Sequence, residues 1–315
     1  MKLPEELQFI ANARMPQKTT NARMDGRVCV VTGATSGVGL AAVRRLARGG
    51  AQVVLVCRNA EKAATVQAEL AREYGTQTDV VLADFARLAD VRAAGATLLE
   101  RYPHIDVLIN NAGVHMTHRM LTVDGHETAF GVNHLASFLL TCLLLDRLKA
   151  SAPARIIQVN SQGHRFGGLD LDDLTWARRR YKGLQGYGAS KTAQLLTVWE
   201  LADRLTGSGV TINAMHPGAV KSNIGMNNGL LYRLYNRLVI RPFLKDAAIS
   251  GDAIYYLAAA PEMANVSRKF FNLTIEEKPA AHALDRAVGK RIWAISNQLS
   301  AISSQPSANE KANCL

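Results

Sequence analysis

Residues 27–39 read RVCVVTGATSGVG, and this stretch decides the fold. Four apolar residues in a row (28–31), three of them valine, predict a strand buried on both faces. Gly33, Gly37 and Gly39 follow at once, and a helical pattern begins at residue 37 and runs to about 49. A glycine loop between a strand end and a helix start lets backbone approach a pyrophosphate at the helix N-terminus. Gly33, Thr35, Ser36, Gly37, Val38 and Gly39 are therefore candidate cofactor-binding residues. A turn that merely needs glycines would look the same in isolation.

The pattern repeats along the chain. RVCVVT (27–32), QVVLVC (52–57), TDVVLAD (78–84), IDVLIN (105–110), RIIQVN (155–160) and VTINAMH (210–216) are strand candidates. Helix candidates lie near 37–49, 60–74, 87–101, 125–150 and 187–206. This alternation predicts an α/β fold: one Rossmann-like, doubly wound parallel sheet flanked by helices. It is read as a single domain over 25–300, after an amphipathic appendage (1–24) and before a flexible tail (301–315). Regularity fades after residue 217. The apolar and basic segment 227–243 is expected to be part of a C-terminal helical substrate lid. A helix at 246–259, a short strand KFFNL (269–273) and a last helix at 281–300 close the pattern.

The formal charge of +11 is high. Its arginines and lysines are scattered over the expected helices, which points to a solvated surface that attracts an anionic cofactor rather than to nucleic acid. The four cysteines show neither metal spacing nor a paired framework. Cys29 and Cys57 read as small core residues, and a reducing cytoplasm is expected. No signal peptide is read, and the longest apolar stretch, LASFLLTCLLL (135–145), is about half a membrane span. It is read as a buried helix or a dimer contact. The helices at 125–150 and 187–206 could form a homodimer face unless the C-terminal extension covers them. The eight histidines form no recognised metal motif; His115 and His118 are placed on a loop at the mouth of the site. A G-x-S-x-G nucleophile elbow is missing, which argues against a serine hydrolase.

The second expected strand ends at Cys57, where an NAD-selective site would place a carboxylate for the adenosine ribose. Arg58 follows instead, and a guanidinium suits a 2′-phosphate. The expected cofactor is NADP(H).

Residues 187–191, YGASK, set a phenol and an ammonium four apart on one helix face, ~6 Å of rise between them. Opposite charges at that distance interact by roughly 3 kcal/mol at an effective dielectric near 20, about two pKa units. The expectation is a phenol drawn toward neutral pH and able to move a proton. Five residues alone do not separate this from an exposed tyrosine beside an unrelated lysine.

Taken together, the TGATSGVG loop, Asp84, N110-N-A-G113, Asn133, Ser161, YGASK and H216-P-G218 resemble the short-chain dehydrogenase/reductase family over about residues 25–300. The long stretch between Ser161 and Tyr187 and the ending SRKFFNLTIEEKP…RIWAISNQL are similar to its retinol dehydrogenase-like branch. Many members of that branch carry an N-terminal membrane-anchoring helix, which is not read here. The resemblance implies that Tyr187 is the general acid in reduction, that Lys191 holds the nicotinamide ribose and lowers the phenol's pKa, and that Ser161 binds the substrate oxygen. It also implies that Asn133 holds a water relaying protons from Lys191. Asp84 with Phe85 would meet the adenine, Asn111, Ala112 and Gly113 the ribose, and Pro217, Gly218, Val220 and Ser222 the nicotinamide. The expected activity is NADP(H)-dependent interconversion of a carbonyl and an alcohol on a lipophilic or aromatic small molecule, with reduction favoured. The alternatives are a biosynthetic dehydrogenase of polycyclic or polyketide-like intermediates and a catalytically silent cofactor sensor.

Overall fold

The computed structural model describes residues 12, 15–76, 78–220, 224, 228 and 244–300. The appendage (apart from its last residues), the tail, Ser222 and all of the expected lid 227–243 except Asn228 lie outside the described residues. The chain forms β1 (Val28–Thr32), α1 (Gly37–Arg48), β2 (Gln52–Cys57), α2 (Ala60–Tyr74), β3 (Thr78–Leu82), α3 (Leu88–Arg101) and β4 (Val107–Asn110). A π-helix (Phe130–Leu135) then runs into α4 (Ala136–Ala150). There follow β5 (Ala154–Val159), a 3-10 turn (Gln162–Phe166), α5 (Gly183–Arg204), β6 (Val210–His216), α6 (Ala248–Ala259), β7 (Phe270–Asn272), β8 (Ile275–Glu276) and α7 (Arg286–Leu299).

The eight strands form one sheet in the order β3-β2-β1-β4-β5-β6-β7-β8. All neighbours are parallel except the β7–β8 pair. Strand order reverses between β1 and β4, so a crevice opens there at the carboxyl ends of the strands. β1 is buried along its whole length, as a strand covered on both faces must be. One apolar layer joins the sheet to α3, α4, α5 and α7 through Leu98, Leu139, Leu196 and Ile292. The opposite layer joins it to α1, α2 and α6 through Leu46, Leu70 and Ile254. Cys29 and Cys57 are buried free thiols, as expected.

Two elements differ from their expected form. The segment 125–150 is not one α-helix. Glu127 is buried, and its carboxylate accepts hydrogen bonds from the backbone N–H groups of Ala129 and Phe130, capping the start. The next six residues are π-helical, a local widening that frees backbone groups for other partners. Helix α5 begins at Gly183, four residues ahead of Tyr187, and that position is too crowded for a side chain: a Cβ at Gly183 would lie 2.6 Å from the Met116 carbonyl oxygen.

The apolar faces of α4 and α5 that could have met a second copy are covered within the chain. α7 lies against them, with Trp293 edge-on to Phe138 at 4.9 Å and Ser296 hydrogen-bonded to His134.

Candidate active site

The ends of β1 to β6, the start of α1, the π-helix and α5 build the site. At the end of β1, Gly33 and Gly37 take positive φ values of +66° and +54°, which only glycine adopts without strain. Gly39 is required for a different reason: a Cβ there would sit 2.3 Å from the Gly33 carbonyl oxygen. Ser36 starts α1 without capping it by its side chain, and the first turn carries no acidic residue. The leading N–H groups of α1 are thus left for an anion, and the cradle suits a pyrophosphate. Thr35 and Val38 lie in the same loop and first turn. Thr32 fastens the neighbouring loop, its hydroxyl accepting from the backbone N–H groups of Asn111 and Ala112, both at 2.9 Å. The Asn111 side chain donates back to the Thr32 carbonyl, and a Cβ at Gly113 would meet the Asn133 side chain at 3.2 Å.

Arg58 is exposed directly beyond β2, whose Val56 pairs with Thr32 at the mouth of the glycine loop. Asp84 and Phe85 follow β3, with the Asp84 carboxylate accepting from the Ala86 N–H. Pro217, Gly218 and Val220 leave β6, and the Pro217 carbonyl accepts from the Ser250 hydroxyl. These positions line the carboxyl edge of one sheet, as the resemblance implies. Ser222 falls outside the described residues.

Asn133, Ser161, Tyr187 and Lys191 come together at the same edge. Ser161 caps the 3-10 turn after β5, its hydroxyl accepting from the Gly163 N–H at 3.0 Å. A Cβ at Gly163 would strike the Tyr187 ring at 2.5 Å, so this glycine gives the ring its place. The Asn133 side chain accepts from the Val114 N–H (2.7 Å) and donates to the Val114 carbonyl (3.0 Å) and the Ser190 hydroxyl (2.9 Å). It therefore ties the loop after β4 to α5. The smallness of Gly188 is also explained, since a Cβ there would meet the Gly167 carbonyl oxygen at 2.6 Å.

The electrostatics differ from the expectation. Burial pushes the Tyr187 phenol up to about 12, against a downward pull from its hydrogen bond with Ser161. Burial also brings Lys191 down to about 7. Lys191 is 3% exposed; its amine lies 5.7 Å from the Tyr187 ring centre and donates to the Val159 carbonyl and the Gln194 side chain, both at 3.0 Å. Desolvation thus outweighs the mutual attraction expected from i,i+4 spacing in this arrangement, and each group is pushed toward its neutral form.

Other participants, His115 apart, were not singled out from the sequence. The His164 ring is fully buried; its Nε2 accepts from the Ala280 N–H, so Nδ1 carries the proton and donates to the Ser161 carbonyl at 2.7 Å. Burial lowers its pKa to about 4. Glu277, also buried, accepts from Gln162 and Arg165 beside it, at 2.7 and 2.9 Å. The His115 ring stands edge-on to Tyr187 at 5.5 Å, consistent with its expected place at the mouth. Asn228 stitches that loop by donating to the His115 carbonyl and accepting from the Thr117 N–H. Phe166, in the 3-10 turn after β5, and Leu184, in the first turn of α5, are more than half exposed.

Among the described residues there is no cluster of metal-ligating side chains, and no helix is long and apolar enough to cross a membrane.

The short chain dehydrogenase family matches residues 27–230. The chain belongs to that family. It is 38% identical over 308 residues to human retinol dehydrogenase 13, a match covering 96% of this chain and 92% of the relative. It is 40% identical over 275 residues to a Streptomyces sp. (strain C5) protein named as a candidate daunorubicin C-13 ketoreductase, covering 87% and 93% of the two chains. Among solved structures, an uncharacterized Mycobacterium paratuberculosis protein superposes with TM-score 0.73 at 31% identity, covering 91% of this chain and 98% of the other. A Burkholderia cenocepacia short chain dehydrogenase in complex with NADP superposes with TM-score 0.63 at 25% identity, covering 79% and 96%. This family member is thus an oxidoreductase of the retinol dehydrogenase branch with a Rossmann-like fold.

Proposed function

We propose that this short-chain dehydrogenase is an NADP(H)-dependent reductase of carbonyl groups on lipophilic or aromatic small molecules. One observation carries the reading: Ser161 and Tyr187 are neighbours at the carboxyl edge of the sheet, where a Cβ on Gly163 would touch both, and the buried Lys191 amine lies 5.7 Å from the phenol ring centre. Two hydroxyls converging on one point can both donate to a substrate oxygen as negative charge develops on it. A bound nicotinamide supplies the hydride. Tyr187 gives its proton to the resulting alkoxide, and Lys191, neighbouring the phenol, stabilises the phenolate while a proton is restored. A phenol at about 12 is a reluctant acid toward bulk water. It is well suited to an alkoxide, which is the stronger base.

Arg58 supports the choice of NADP(H), because it follows Cys57, which stands where a carboxylate would favour the unphosphorylated ribose, and a guanidinium suits a 2′-phosphate. The exposed Phe166 and Leu184, in the turn after Ser161 and in the first turn of the helix that carries Tyr187, support an apolar substrate. The relative named for daunorubicin C-13 ketoreduction favours a second reading within the same chemistry: a biosynthetic step on a polycyclic ketone.

The test is NADPH consumption, followed by absorbance, across a panel of lipophilic aldehydes, aromatic ketones, polycyclic ketones and small sugars. Turnover confined to the first three is expected. Tight NADPH binding with silence across the whole panel would make the chain a cofactor sensor instead.

A further inference from the structure

Gln194 lies one turn beyond Lys191 on α5 and is 1% exposed. Its carboxamide oxygen accepts from the Lys191 amine at 3.0 Å and from the Asn160 side chain at 3.1 Å. Its amide nitrogen donates to the Asn133 backbone carbonyl. The orientation is settled by the partners. Two donors face the oxygen and one carbonyl faces the nitrogen, so the flipped amide would oppose donor to donor. Asn160 is fixed in turn by donating to the Lys191 carbonyl at 2.9 Å. The π-turn makes the Asn133 carbonyl available, shared between Gln194 and the Ser137 hydroxyl.

One side chain therefore spans the gap from the Lys191 amine to Asn133, the gap that the family resemblance assigns to a water. The two are not equivalent. A water accepts on one side and donates on the other, and can pass a proton by exchanging the two roles. A carboxamide has a fixed acceptor and a fixed donor, so it holds Lys191 without conducting.

We propose that Gln194 is a positioning residue for Lys191, its carboxamide standing in place of the relay water, holding the amine near Tyr187 and closing the inner proton route through Asn133. Lys191 then regains its proton from the mouth of the site. Hydrogen bonding to a carbonyl and a carboxamide favours the charged amine and works against desolvation, so removing the carboxamide lowers its basicity and adding charge raises it. The titratable groups facing Lys191 are Tyr187 on its own helix and His216 at the end of β6. His216 is held at about 4 and Tyr187 at about 12, which leaves the interval near neutrality to Lys191. No described carboxylate forms an ion pair with it.

The proposal rests on the reductase reading, so the first measurement needs neither substrate nor cofactor. Lysine labelled with 13C is titrated by NMR in the free protein, with Lys191→Met identifying the resonance. In Gln194→Glu the midpoint should rise by about one unit or more, as for an opposite charge in contact; in Gln194→Met it should fall. Gln194→Asn, too short to reach both ends, should fall in the same direction and serves if either larger change unfolds the protein by circular dichroism. The second measurement is the pH profile of kcat for NADPH-dependent reduction, which should move with the same signs. Midpoints unchanged in all variants would overturn the positioning role. Midpoints that move in a protein that reduces no carbonyl would uphold it and sink the reductase reading instead.

Discussion

The nucleotide half of the sheet and the catalytic half satisfy their polar groups in different ways. From β1 to β4 the site is built from backbone: glycines that bring chain against chain, uncapped N–H groups at α1, and Thr32 holding two loop amides. Beyond β4 it is built from buried side chains: Asn133, Asn160, His164, Ser190, Lys191 and Gln194, each at most 3% exposed. The first half can recognise a shape with almost no titratable chemistry. The second must hold an amine away from water, at a desolvation cost offset by the hydrogen bonds around it. Substitutions should therefore separate cleanly, with binding affected in one half and turnover in the other.

The largest separation is expected at Tyr187. Tyr187→Phe removes the proton donor and leaves the ring that rests on Gly163. The kcat should fall about 10³-fold, the middle of the range for a positioned general acid, while the NADPH Kd stays unchanged. If turnover survives near the wild-type rate, the proton comes from elsewhere and the comparison loses its basis.

The next effect is on stability rather than rate. His164, fully buried, and His134, 1% exposed, are both kept neutral by burial, with pKa values lowered to about 4 and about 3. In the unfolded chain both titrate near 6.5. The native state therefore binds fewer protons than the unfolded one as pH falls below that value. The stability they contribute is complete above pH 6.5 and is lost toward pH 4 and 3. At 1.36 kcal/mol per unit, His164 alone accounts for roughly 3 kcal/mol. Both residues lie in the catalytic half. Denaturant unfolding from pH 7 to pH 4 should show this loss, and His164→Gln should flatten it. An equal slope in the variant would place the acid sensitivity elsewhere.

The same division explains what could be read from the sequence. The strands and the glycine loop are local: β-branched runs, three glycines and a helix start fall within thirteen consecutive residues. The members of the catalytic set could be named from motifs, and the structure brings Asn133, Ser161, Tyr187 and Lys191 together. Their electrostatics could not be read, because i,i+4 spacing says nothing of how deeply Lys191 is buried. Gln194 was illegible because its meaning depends on Asn133, 61 residues away, and on a π-turn with no local signature. His164 and Glu277 were missed likewise, since they depend on contacts between the turn after β5, which carries Gln162, His164 and Arg165, and the C-terminal segment after β8, which carries Glu277 and Ala280.

Arg58 is the exception within the nucleotide half, and it gives the smallest and most pointed prediction. Everything else at the glycine loop acts through backbone; this one exposed side chain is expected to tell a 2′-phosphate from a hydroxyl. Arg58→Ala should raise the Kd for NADPH about tenfold, or 1.4 kcal/mol, and leave that for NADH unchanged. Arg58→Lys should lose less, since it keeps the charge but not the planar fork that matches phosphate. Fluorescence titration with both cofactors reads the ratio directly. A ratio unmoved by Arg58→Ala would mean that discrimination, like the rest of that half, lies in the backbone.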